Sequence, residues 1–272
     1  MLRTRIKTAL VLLAVFVALL LTNTPSIMAL AAGLFLIAAT WEALRLFKVK
    51  HAALMALGGS ILFALIAFQG AFEQTGLLML LCVLIWALRL APSLRVGLPA
   101  LGTLASSLLA GVYCLTILGC FVAMLSLLSH SALYLFSVLA TVWVADIGAY
   151  FSGKAFGRRK LAPTISPGKS WEGAIGGWLA VLILSSGCAF VPALHDTFAA
   201  ELQFDRGWLV LLLALSLIVA ASVVGDLFES QLKRRAGVKD SSGLLPGHGG
   251  VLDRIDALIP VLPLAMLLHV WR

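Results

Sequence analysis

Asp226, Ser230 and Lys233 recur at i, i+4 and i+7, and Asp253 and Asp256 at i and i+3. On a helix each set shares one face. A carboxylate beside a hydroxyl and an ammonium suits a cation together with a phosphate. Two carboxylates one turn apart offer the hard oxygen ligands that Mg²⁺ takes. Glu229 and Arg234 border the first face, and Lys239, Asp240, His248 and Arg254 complete the run. Between the two sets Leu245-Pro246-Gly247-His248-Gly249-Gly250 leads into a helix start. Glycines there can expose backbone N–H groups where the helix dipole is positive, which is an anion-binding geometry. Plainer readings stay open. The first face could be a helix end with internal ion pairs, and Asp253 could be an N-cap with Asp256 in the first turn. Capping explains neither the glycines nor Arg254 and His248. No second histidine has ligand spacing to His248, so zinc is not expected here.

A second polar segment reads Ser166-Pro167-Gly168-Lys169-Ser170-Trp171-Glu172-Gly173. Pro167 fixes one dihedral and Gly168 frees others, so the backbone can curl around a ligand. Lys169 and the two hydroxyls suit phosphate oxygens. The GxxxxGK spacing of a Walker loop is absent, and Ser170 could simply cap the next helix. Gly173 and Gly177 point to close helix packing. Upstream, Asp146 is an ionisable residue inside an apolar run, which by default marks function. Its alternative is a carboxylate at the interface, paired with Lys154 or a neighbouring helix.

Membrane spans must position these groups. The 272 residues are 61% hydrophobic and only 12% charged, with mean hydropathy +1.06, far outside the soluble range. Runs near 7–22, 26–44, 52–69, 76–92, 104–126, 132–151, 173–193, 207–225 and 255–271 approach the roughly 20 apolar residues that a span needs. The expected fold is therefore all-α and polytopic, with about nine transmembrane helices. MLRTRIK ahead of the first run also has the form of a signal peptide, but the next run follows at once without a persuasive cleavage site. A cytoplasmic N-terminus would put 18 of the 20 Lys/Arg inside, leaving only Arg206 and Arg272 outside, as the positive-inside rule requires. Both polar loops, 152–172 and 226–254, would then face the cytoplasm. Trp41, Trp86, Trp171, Trp208 and Trp271 fall near span ends, where an aromatic belt sits.

The net charge of +8 follows from the same rule and gives no argument for nucleic acid. Cys82, Cys114, Cys120 and Cys188 lie in expected spans without CxxC spacing, so neither a zinc site nor a disulfide framework is indicated. The chain reads as one structural unit, with generic helices over 1–130 and the chemistry in 131–272.

Ser230-Gln231-Leu232-Lys233-Arg234, then Lys239-Asp240, then LPGHGGVLDRID resembles the signature of the phosphatidate cytidylyltransferases, or CDP-diacylglycerol synthases. The stretch DIGAYFSGKAFGRRK followed by SPGKSWEG resembles a second region of that family. There the usual form has another lysine where this chain has Gly168, and often threonine at Ser170.

The resemblance implies the reaction CTP + phosphatidate → CDP-diacylglycerol + pyrophosphate, with Mg²⁺, at a bacterial cytoplasmic (inner) membrane. On that reading Asp226, Asp253 and Asp256 hold metal, with Asp146 and Asp240 as further ligands or orienters of basic side chains. Lys233, Arg234, Lys239 and Arg254 neutralise the phosphates, and His248 belongs to the catalytic turn. Ser166, Lys169, Ser230, Gly249 and Gly250 bind substrate. The expected partners are CTP and phosphatidate within membrane lipid; no nucleic acid is expected, and a homo-oligomer is allowed. Two rivals use similar groups. A lipid-alcohol kinase would release no pyrophosphate, and a cation-coupled transporter would place its carboxylates near the bilayer midplane.

Overall fold

The computed structural model describes residues 24–69 and 75–270. The first expected span, 7–22, lies outside the described residues, as does Trp271. The described chain runs through α1 (Pro25–Leu46), α2 (Ala52–Gln69), α3 (Gly76–Ile85), a π turn at Trp86–Leu90, α4 (Ala91–Val96), α5 (Leu104–His130) and α6 (Ala132–Phe156). A hairpin of β1 (Lys160–Ala162) and β2 (Ser166–Ser170) leads into α7 (Trp171–Gly187), α8 (Phe198–Ala236), the single turn α9 (Leu252–Ile255) and α10 (Leu258–Val270).

Among the described residues seven helical segments are long and apolar enough to cross a membrane. They match seven of the nine expected runs. The last expected span differs. It is the 13-residue α10, about 20 Å long at 1.5 Å per residue, against a hydrocarbon core of about 30 Å. The cause is local: Pro260 has no N–H to donate to the carbonyl of Asp256, and the helix breaks between α9 and α10.

The two polar segments are also more ordered than a loop reading expects. Helix α6 continues to Phe156, and residues 166–170 form a strand paired with β1 rather than a curl around Gly168. Helix α8 runs on to Ala236 and stops at Gly237, whose φ of 77° is left-handed, a conformation open to glycine. Gly207, at φ 80°, kinks the same helix near its start.

One core draws on both sides of the expected division at residue 130. At its centre Trp86 and Tyr113 both lie against the Phe228 ring, with centroids 5.5 and 5.0 Å from it. Trp86 is thus buried, not part of an interfacial belt, whereas Trp171 and Trp208 are exposed. Helices α6 and α7 pack through glycine. A Cβ on Gly177 would meet the carbonyl of Ala145 and come within 3.2 Å of the Ala149 Cβ. The sequence reading of Gly173 and Gly177 as packing residues fits this seam. All four cysteines are free.

Candidate active site

Beyond its kink at Gly207, α8 runs unbroken to Ala236 and places Asp226, Ser230 and Lys233 on one face. Ser230 Oγ donates to Asp226 Oδ1 at 3.3 Å. Lys169, on β2, reaches across to Asp226 Oδ2 at 2.7 Å, and Arg234 Nε approaches the carbonyl of Ile165 at 3.5 Å. The hairpin and the end of α8 therefore meet. Asp146, on α6, lies on the same side and feels the charges of Asp226 and Lys169.

In the last turn of α8, Lys233 sits between two carboxylates, 2.5 Å from Glu229 and 2.6 Å from Asp253. Glu229 is fully buried, and its Oε1 meets no hydrogen-bond donor among the described residues. Asp253 is nearly as enclosed. Its Oδ2 accepts from the backbone N–H of Ser241 at 2.9 Å, the Ser241 hydroxyl at 2.9 Å and the Gly250 N–H at 2.8 Å. Burial works against its charge, but Lys233 and these donors outweigh burial and hold the carboxyl at about 2. Asp256 is placed oppositely. Burial and the neighbouring Asp226 charge lift its carboxyl to about 7.

The glycine turn is built differently from the anion cradle that its sequence suggests. Gly247 and Gly249 have positive φ, 76° and 85°, and the turn closes with the Leu245 N–H donating to the Gly249 carbonyl at 2.8 Å. The N–H groups ahead of α9 are already committed to carboxylates of the chain. Gly250 donates to Asp253, while Val251 and Leu252 donate to Glu42 at 3.1 and 2.7 Å. Asp253 is accordingly a brace for the loop, not an N-cap of α9. What the turn offers outward is side chains. Asp240, Ser242, His248 and Arg254 line an open cavity of about 530 Å³ with Gly249. Arg254 is steered into it by donating to the His248 carbonyl at 3.1 and 2.5 Å.

Glu42 is the residue that the sequence reading missed. It lies on α1, fully buried, and besides the two N–H groups it accepts from the hydroxyls of Ser241 at 3.0 Å and Ser242 at 2.5 Å. Gly250 must be glycine for this to fit, because a Cβ there would stand 2.5 Å from Glu42 Oε1. The rule that singles out Asp146, a carboxylate in an apolar run, applies equally to Glu42. Sequence spacing puts Glu229 only at the border of the face that holds Lys233, whereas the structure pairs the two directly.

Of the other expected residues, Lys239 and Arg234 are exposed at the end of α8 and in the loop after it. Ser166 begins β2 opposite Ala162 and makes no hydrogen bond to the carboxylate cluster among the described residues.

The cluster suits a divalent cation. Asp226, Glu229, Asp253 and Asp256 bring four carboxyl groups around the ammonium groups of Lys169 and Lys233, an excess of two negative charges when all are ionised. An unmatched buried carboxylate oxygen and a carboxyl lifted by its neighbour are what a hard cation relieves.

A family model described as "Cytidylyltransferase family" matches residues 3–271. The chain is 37% identical over 284 residues to the phosphatidate cytidylyltransferase of Haemophilus influenzae, covering 97% of this chain and 96% of that one. It is 51% identical over 127 residues to the Pseudomonas aeruginosa protein of the same name, covering 47% and 44% of the two chains. Against the Bacillus subtilis protein it is 38% identical over 155 residues, 57% and 54% of the two.

Proposed function

The chain belongs to the cytidylyltransferase family, and from that membership and the site we propose that it condenses CTP with phosphatidate, giving CDP-diacylglycerol and pyrophosphate. The observation that carries this reading is the joining of Lys169, Asp226, Lys233 and Asp253 into one cluster beside a cavity of nucleotide size, at the end of an apolar helix bundle. Lipid tails can remain among the helices while a water-soluble triphosphate enters at the polar end.

A phosphate oxygen of phosphatidate attacks the α-phosphorus of CTP. The new P–O bond forms as the α–β P–O bond breaks, and the electron pair leaves on pyrophosphate. The nucleophile needs no strong base, since a phosphate monoester with a second pKa near 6 is already largely dianionic at pH 7. The barrier is repulsion between two anions. Lys169, Arg234, Lys239 and Arg254 lower it by charge, acting on groups in positions fixed beforehand. Lys233 contributes less to substrate than its charge suggests. An ammonium has three N–H donors, and two are held by Glu229 and Asp253, so at most one remains for a phosphate oxygen. Its main task is to keep α8 and the 240–253 loop in register.

Mg²⁺ is part of the proposal. Asp226, Glu229 and Asp256 are the residues that would hold it, with Asp253 beside them, and when bound it supplies charge neutralisation of the triphosphate and of the leaving pyrophosphate. The 18-to-2 partition of basic residues supports a site on the cytoplasmic side of a bacterial inner membrane, where CTP is found.

The test is incubation of the purified protein with Mg²⁺, labelled CTP and several lipid acceptors. CDP-lipid and pyrophosphate should appear in equal amounts with phosphatidate. A phosphorylated lipid alcohol without pyrophosphate would instead mark a kinase.

A further inference from the structure

The end of the bundle remote from the catalytic cluster holds a second constellation. His130 ends α5, Glu201 lies in the first turns of α8 and His269 is next to the last residue of α10. His130 Nε2 is 3.0 Å from Glu201 Oε1 and 3.2 Å from Oε2. The rings of His130 and His269 have centroids 4.5 Å apart. One ligand atom from each of the three residues lies within 4.8 Å of the other two. The Tyr134 ring packs edge-on against both imidazoles, at 4.9 and 5.1 Å, and walls the group on one side. Along α10, Leu258, two residues after Asp256, and His269 are 11 residues apart, or about 17 Å, so this group is separate from the catalytic cluster.

We propose that His130, Glu201 and His269 form a binding site for a zinc-class divalent metal ion on the face opposite the catalytic site. Two imidazole nitrogens and one carboxylate are a borderline donor set of the kind that Zn²⁺ takes, with a fourth position left for water. A tetrahedral ion with bonds near 2.1 Å sets its ligands about 3.4 Å apart. His130 and Glu201 already lie near that spacing, and the third ligand closes from within 4.8 Å by a shift of at most about 1.4 Å. The His130–Glu201 ion pair supplies two members, and the second imidazole stands against the first. The donors also come from three helices. An ion here ties the outer end of the short α10 to α5 and α8, where α10 alone is too short to span the core.

Full-length protein in detergent, stripped with chelator and kept in excess Mg²⁺ to fill hard-oxygen sites, is titrated with Zn²⁺ alone and separately with Co²⁺. The expected result is one Zn²⁺ per chain, tetrahedral Co²⁺ visible bands and a zinc-dependent rise in Tm. His130→Ala/His269→Ala should weaken binding by roughly 100-fold or more, beyond what the loss of an outer hydrogen bond costs, with turnover in Mg²⁺ unchanged. His269→Ala alone, at the bundle end, serves if the double variant folds poorly. Equal zinc affinity in wild type and variants, or zinc displaced by Mg²⁺ and lost with Asp253→Asn, overturns the proposal.

Discussion

Lys169 Nζ stands 2.7 Å from Asp226 Oδ2, across 57 residues of sequence, and this ion pair joins the hairpin before α7 to the polar end of α8. Neither segment alone carries enough positive charge for a triphosphate and a phosphate together. Both side chains are about a third exposed, so the pair adds little to stability. Its value lies in placing the lysine. Lys169→Ala and Asp226→Asn should each lower turnover by about tenfold or more, and the double variant should lose less than the product of the two, as for groups in one network. Fully multiplicative losses in steady-state rates would show that the two act independently.

Asp253→Asn should remove most turnover. If Asp253 only capped a helix, asparagine would be nearly neutral. Here it also balances Lys233 and receives three N–H or O–H donors, and an amide nitrogen cannot accept. Asp256→Asn should chiefly raise the Mg²⁺ concentration needed for half-maximal rate. Activity assayed against Mg²⁺ for both variants separates the roles, and near-normal rates at ordinary Mg²⁺ would refute them.

The pH response follows from Asp256. Its carboxyl is lifted to about 7 in the folded chain against about 4 when unfolded. Between these values the folded state binds more protons than the unfolded one, so stability without divalent cation falls as pH rises from about 4 to about 7. Asp253, held at about 2, acts in the opposite sense but only below about pH 4. Mg²⁺ binds the ionised form, so it should raise Tm more at pH 8 than at pH 6. Thermal unfolding in chelator and in Mg²⁺ at the two pH values measures this. An equal Mg²⁺ shift at both would remove Asp256 from the ligand set.

Glu42→Gln should be nearly as damaging as Glu42→Ala. Four donors converge on the carboxylate, the Ser241 hydroxyl being shared with Asp253, and the NH₂ of glutamine would face donors where an acceptor is needed. Hydrogen bonds to a charged group are worth about 1.5–3 kcal/mol each, and stranding several should free the 237–251 loop. The readout is faster proteolysis in that loop with a fall in kcat. An unchanged cleavage pattern would mean that the loop is held by other contacts.

Gly225→Ala tests the seat of Asp256. In a free helix, alanine is favoured over glycine by about 1 kcal/mol. At Gly225 a Cβ would meet the Asp256 carbonyl and come within 2.9 Å of Pro260, so the sign should reverse, with loss of both stability and activity. Gly111→Ala, in α5 with nothing within 4 Å, is the control and should gain stability. If both variants behave alike in unfolding and in rate, the close packing is not limiting.

The polar clusters and most helices were readable because apolar runs and ionisable residues report locally. Lys233 and Asp253 stood out by type and spacing, and so did Asp226. Their pairing did not, since it depends on how α8 and the 240–253 loop approach each other. The glycine turn was legible as a turn, but not that its N–H groups are consumed by Glu42 and Asp253. Glu42 lies about 200 residues from its partners, and no local pattern in α1 announces them. The shortening of the last span was written in Pro260, whose effect depends on position in a helix that composition alone does not delimit.

The distance in sequence between Glu42 and the turn that it holds imposes an order on biogenesis. Glu42 leaves the ribosome about 200 residues before Ser241 to Leu252, a delay of roughly 10–40 s at ordinary rates of synthesis. Throughout that interval a carboxylate in an apolar helix lacks the four donors that later satisfy it, so α1 must stay wet or keep its polar end at the membrane surface. Only when residues 241–252 have arrived can α1 sink into the bundle. The nascent enzyme is thus inactive until those residues have been made, with no separate device needed to restrain it.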